Sequence, residues 1–212
     1  MHYHLEILLP HCDDVKAAVE EILLPFDENN DENRHAFWDW WQFGGRYSGR
    51  KIEAAVGQDK IDAFHEELKR RKVTCSGLVW GKQELAPDSQ IPMVDALWRE
   101  MCPGGGDVCT LFKHSGDMMN GDICAYKDLP AGLMAHRLIV AAPDYEGKKL
   151  EAEAMYSRSI WNGVNHEDTK WDGGVETGIA AYLEKLKSYK TEYAEKRTPK
   201  DDWLVVTVDY HS

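Results

Sequence analysis

The chain of 212 residues has no long apolar run, no surplus of positive charge and no closely spaced cysteines. Each shortage removes a class of protein. Nothing approaches the roughly 18 consecutive apolar residues of a membrane helix, so no membrane partner is expected. Lysine and arginine total 25 against 37 aspartates and glutamates, a formal net charge of −12. Duplex nucleic acid would be repelled over most of such a surface. A small anion gripped by two or three donors is still allowed, because short charge-assisted hydrogen bonds outweigh a screened distant field. The five cysteines, Cys12, Cys75, Cys102, Cys109 and Cys124, are odd in number and far apart, which favours reduced thiols over a disulfide framework. The opening residues MHYHLEILLP offer neither a basic leader nor a small-residue cleavage site, so a cytoplasmic chain is expected. Internal repeats and low-complexity tracts are also missing. One domain over residues 1–212 is the expectation, with its oligomeric state open.

What is present reads first as strand and helix. Tyr3, Leu5, Ile7 and Leu9 alternate with His2, His4, Glu6 and Leu8, the period of a half-buried strand that Pro10 ends. Asp13 is placed to cap a helix with apolar positions Val15, Ala18, Val19, Ile22 and Leu23. Residues 58–72 form an amphipathic helix through Ile61, Phe64 and Leu68, and residues 92–101 a shorter one opened by proline. From Val108 onward, VCTLFKH, DICAYKDL and AHRLIVAAP read as short strands, and residues 142–156 as a hairpin. A long helix is expected over about 174–196, and the final run, with Leu204, Val206, Val208 and Tyr210 on one face, is a strand. This order predicts an α+β fold with a mainly antiparallel sheet, both terminal strands in it and helices packed on one face.

The stretch FWDWWQFGGRYSGR, residues 37–50, concentrates three tryptophans, two glycine-flanked arginines and a Gly-Gly pair. It follows the polar run DENNDENRH, so an inserted aromatic and glycine loop is expected at about 27–50. Tryptophan supplies a stacking face, glycine lets a backbone approach a ligand, and arginine supplies a planar fork of donors. Trp38, Trp40, Trp41, Gly44, Gly45, Arg46 and Arg50 are therefore the candidate ligand-binding residues for a small, flat anion. The competing reading makes Trp38, Trp41 and Phe43 core, Gly44-Gly45 a tight turn and Arg46 either stacked on a tryptophan or paired with Asp39. The motif follows no clear strand, so it is not a dinucleotide or phosphate-loop signature.

A second constellation lies on the terminal strands. His2 and His4 share a face of one, and Asp209 and His211 share a face of the other. If the two strands pair antiparallel, all four converge. Paired histidines with a carboxylate can act as acid and base on a phosphodiester, or as ligands of a divalent metal. His2, His4, Asp209 and His211 are therefore the candidate catalytic residues, and a divalent cation is the one cofactor they suggest. The bland alternative is a wet sheet face. Weaker candidates are a zinc set from Cys102, Cys109, His114 and Cys124, a ligand contact at His35, and the acidic turn His166-Glu167-Asp168.

The motif Asp-Trp-Trp-Gln-Phe-Gly-Gly-Arg-Tyr-Ser-Gly, residues 39–49, resembles a pattern in uncharacterised proteins of bacteriophages and some bacteria. The final Val-Thr-Val-Asp-Tyr-His-Ser is similar to that family's closing strand, with Tyr210 where the family has cysteine. The resemblance implies a phage-like setting and no mechanism.

Together these features predict an accessory protein that binds, and in an extension cleaves, a small anionic nucleotide-like ligand such as a cyclic nucleotide or other host defence signal. Two further readings stand beside it: a non-enzymatic interaction module that inserts the tryptophan loop into a protein partner, and a metal-dependent hydrolase built on the histidine strands.

Overall fold

The computed structural model describes residues 1–30, 36–73, 76–79, 82–84, 90–106, 108, 120–144, 146, 149–156, 177–188, 195–196 and 198–212. In chain order, β1 is His2–Leu9, α1 Val15–Leu23, β2 Trp40–Phe43, α2 Arg50–Val56, α3 Gln58–Arg70, β3 Ser76–Val79, β4 Lys82–Glu84 and α4 Ile91–Met101. Then follow β5 Ile123–Ala125, β6 Met134–Ala135, β7 Arg137–Pro143, β8 Leu150–Tyr156, β9 Thr177–Gly178, α5 Ile179–Ser188 and β10 Leu204–His211. Expectations at His35, Cys75, Cys109, His114, residues 166–168 and most of VCTLFKH lie outside the described residues.

The fold is α+β, and both terminal strands lie in its main sheet. That sheet has six strands in the order β2-β10-β1-β7-β8, with β5 also paired to β10. All its pairings are antiparallel except β1 with β7. The two-residue alternation of β1 and β10 decides the layering. Leu5, Ile7 and Leu9, with Val206, Val208 and Tyr210, face α1 and bury Val19, Ile22 and Leu23. Leu8 and Val205 point the other way, onto Ile179, Tyr182 and Leu183 of α5. The helical layer over the first face thus has a counterpart on the second. A third cluster joins Ile52 of α2, Ile61, Phe64 and Leu68 of α3, and Val94, Leu97 and Trp98 of α4.

Several local expectations shift. Asp14, one residue later than Asp13, caps α1 by accepting from the Ala17 amide at 3.0 Å. Residues 40–43 of the expected loop are an edge strand, since Trp41 and Phe43 pair with Tyr210 and Val208. Helix α2, Arg50–Val56 with Gly57 as its C-cap, falls where no helix was expected.

Ile139 of β7 is fully buried at the centre of the α1 face. Ile139→Ala is expected to lower unfolding stability by about 2–5 kcal/mol, measured as a drop in the urea midpoint at constant m value.

Candidate functional site

Antiparallel register sets His2 opposite His211, His4 opposite Asp209 and Glu6 opposite Thr207. On the far side of β10, His211 faces Trp40 and Asp209 faces Gln42. The four histidine-strand candidates therefore do converge on one face, with Trp40 beside them. They form two tiers, an exposed rim and a sealed layer beneath it.

The rim consists of two carboxylate-anchored imidazoles. His2 Nδ1 lies 2.9 Å from Asp209 Oδ1, and His211 Nδ1 lies 2.7 Å from Asp39 Oδ1. An ionised carboxylate only accepts, so each Nδ1 carries the proton and proton transfer runs through Nε2. The two rings meet edge to face at 5.5 Å. Trp40 meets His2 at the same separation and is 43% exposed. The side chains of His2, His211 and Asp39 are 24%, 41% and 46% exposed, whereas Asp209 is fully buried.

Beneath the rim, His4, Glu6, Lys51, Asp122, Thr207 and Asp209 are all buried. The Lys51 ammonium donates to Glu6 Oε2 at 2.6 Å, to Thr207 Oγ1, and to the Asp122 carbonyl at 3.2 Å. Its three protons meet three acceptors. Thr207 passes a hydrogen on to Glu6 Oε1 at 2.8 Å, and His4 Nε2 donates to the same oxygen at 2.9 Å. Burial alone would push the Glu6 carboxyl up, but the Lys51 charge and the His4 hydrogen bond outweigh it and hold the group below the usual carboxylate range.

His4 is placed differently from its expected role. Its ring is sealed between Glu6 and Tyr47, which stacks on it at 4.8 Å and 7°, and its amide donates to His136 Nδ1 at 3.0 Å. A ring with no exposed surface touches no ligand, so His4 supports the rim from below.

The glycine and tryptophan motif is likewise divided. Gly44 and Gly45 adopt positive φ of 56° and 52°. A β-carbon on Gly44 would come within 2.3 Å of Asp122 Oδ2, and one on Gly45 within 2.4 Å of Asp209 Oδ2. Their backbone is pressed against buried carboxylates, so the close approach that glycine permits is made to the protein's own anions. The same turn supplies donors: Arg46 N to Asp209 at 3.0 Å, Ser48 Oγ to Asp122 at 2.7 Å and Gly49 N to Asp122 at 2.9 Å. Trp38 spends its indole N–H on the Leu23 carbonyl at 2.9 Å, and Trp41 packs edge-on against Phe43. Arg50 pairs with Glu53 at 3.1 Å, and the half-buried Arg46 contributes its amide. The tight-turn reading of Gly44-Gly45 therefore holds, while Asp39 engages His211 in place of Arg46. Of the motif, Trp40 and Asp39 reach the rim.

Glu6, Lys51, Asp122 and Thr207 went unnoticed in the sequence. Buried charge carries no composition signal, although Glu6 on the His2 and His4 face was a positional clue. Among the described residues, no three histidine, cysteine, aspartate or glutamate side chains are grouped to hold a metal ion. The described cysteines Cys12, Cys102 and Cys124 are free thiols, with burial pushing that of Cys124 up to about 11. No helix among the described residues is long and apolar enough to cross a membrane. No protein-family profile, curated protein or solved structure matches the chain.

Lys51→Ala strands the Glu6 carboxylate in the interior and is expected to cost about 3–5 kcal/mol, read by denaturant melts. The depressed Glu6 pKa also has a pH signature. An acid that is stronger in the folded state adds stability above its unfolded value, about 4.3, and loses it as pH falls through the lower folded value. Glu6→Gln is therefore expected to flatten the acid limb of the stability profile below about pH 4.3, measured against the parent chain.

Proposed function

We propose that the chain binds a small anionic, nucleotide-like ligand on the rim formed by Trp40, His2 and His211. The observation that carries this reading is an indole 43% exposed beside two imidazoles, each anchored through Nδ1 to its own carboxylate. A large solvated aromatic face stacks on a nucleobase. Each imidazole, in its protonated form, donates Nε2–H to an anionic oxygen in an orientation set by its Nδ1 carboxylate, so little side-chain entropy remains to be lost on binding. The donors first sought on Arg46 and Arg50 thus come from the histidines. The motif's resemblance to phage-encoded chains supports a setting in which the ligand is a host nucleotide signal.

Mono-, di- and cyclic dinucleotides are expected to raise the melting temperature, by the equivalent of about 2.7 kcal/mol at a hundredfold excess over Kd. Trp40→Ala is expected to remove about 1–3 kcal/mol of that binding without lowering the melting temperature of the unliganded protein. Failure of every nucleotide to shift the melt, with parent and Trp40→Ala behaving alike, overturns the reading.

A further inference from the structure

We infer that the His2 and His211 pair cleaves a ribonucleotide phosphodiester, using the neighbouring 2′-hydroxyl as nucleophile and leaving a 2′,3′-cyclic phosphate. This rests on the binding reading above and assigns its substrate class and chemistry. Three observations converge. The rings are 5.5 Å apart and both partly exposed. Rings this close can both reach oxygens of one phosphate through hydrogen bonds of about 2.8–3.0 Å. Each ring is held through Nδ1 by a carboxylate, which fixes its tautomer and steadies it when charged. The rim is built from β1, β10 and the start of β2, whose paired backbones set His2 directly opposite His211 and His211 opposite Trp40.

The chemistry needs no further reactant. The imidazole that is neutral takes the 2′-hydroxyl proton on Nε2 as O2′ attacks phosphorus. The O2′–P bond forms while the P–O5′ bond breaks. The imidazole that is protonated gives its Nε2 proton to the departing O5′. The products are a 2′,3′-cyclic phosphate and a 5′-hydroxyl, and exchange with solvent restores the two protonation states. One base and one acid are needed together, so the rate follows a bell-shaped dependence on pH. Trp40, next to His2, stacks the base of one of the two nucleotides.

The test uses the full chain, a linear diribonucleotide, a cyclic diribonucleotide and their 2′-deoxy counterparts, all in the presence of a chelator, with products followed by 31P NMR. The ribonucleotides are expected to give the cyclic phosphate signal with a bell-shaped pH profile. The deoxy counterparts are expected to bind with the same Trp40-dependent thermal shift and to stay intact. Asparagine keeps a side-chain N–H for the carboxylate, so His2→Asn and His211→Asn are each expected to hold the parent melting temperature and to slow cleavage at least about a hundredfold. Binding without cleavage at any pH, equal cleavage of deoxy substrates, or full rates in both folded asparagine variants overturns the inference while the binding site stands. Loss of the Trp40-dependent shift strikes the binding reading itself.

Discussion

The ammonium of Lys51 organises this molecule. A fully buried carboxylate such as Glu6 is costly unless charge and hydrogen bonds replace its water. Lys51 replaces that water at Glu6 and simultaneously ties Thr207 of β10 and the carbonyl of Asp122 to the same point. Strands β1 and β10, helix α2 and the turn before β5 are thereby joined through one nitrogen. Such a network rigidifies only when each member is satisfied. Here Glu6 accepts from His4, Thr207 and Lys51 together.

The Gly-Gly-Arg-Tyr-Ser-Gly-Arg-Lys run follows from that requirement. The carboxylates of Asp122 and Asp209 also lie inside. They accept from amides and a hydroxyl of the turn. A backbone can deliver those donors only at very short range, which is why side chains are excluded at Gly44 and Gly45. Tyr47 completes the wrapping, stacked on His4 and donating its hydroxyl to the His2 carbonyl at 2.9 Å. What reaches solvent is the remainder: Trp40, Asp39 and the two imidazoles. A rim resting on so constrained a base has its two imidazoles tied through Nδ1 to Asp209 and Asp39.

Alternation in β1 and β10 was readable from the residues alone, because each strand carries an unbroken apolar face opposite a polar one. That pattern placed both termini in the sheet as strands, and the order of elements predicted the α+β class; the meeting of His2, His4, Asp209 and His211 was expected only on the condition that the two strands pair antiparallel, as they do. Helix α3 was equally legible through Ile61, Phe64 and Leu68. The motif at residues 37–50 was visible but its purpose was not. Glycine that admits a ligand and glycine that admits the protein's own carboxylate look the same in sequence. Strand β2 was missed because its four residues show no alternation: Trp40 is exposed, yet Trp41 and Gln42 are both half-buried. Asp122 and Lys51 could not be told from surface charges, since pairing across 71 positions leaves no local trace.

Strand β10 is flanked on one edge by β1 and on the other by two short strands end to end, β5 along residues 204–206 and β2 along residues 208–211. The seam falls at Thr207, and the Gly44 amide closes it by donating to the Thr207 carbonyl at 2.9 Å. Both neighbours therefore lock the same reading frame of β10. A single-residue insertion upstream of that seam would rotate Thr207, Asp209 and His211 into the oily layer beneath α1 and turn Val206, Val208 and Tyr210 toward the lysine. Spacing within this strand is thus under tighter constraint than the identity of most side chains it carries, because one miscount would dismantle core and rim in the same stroke.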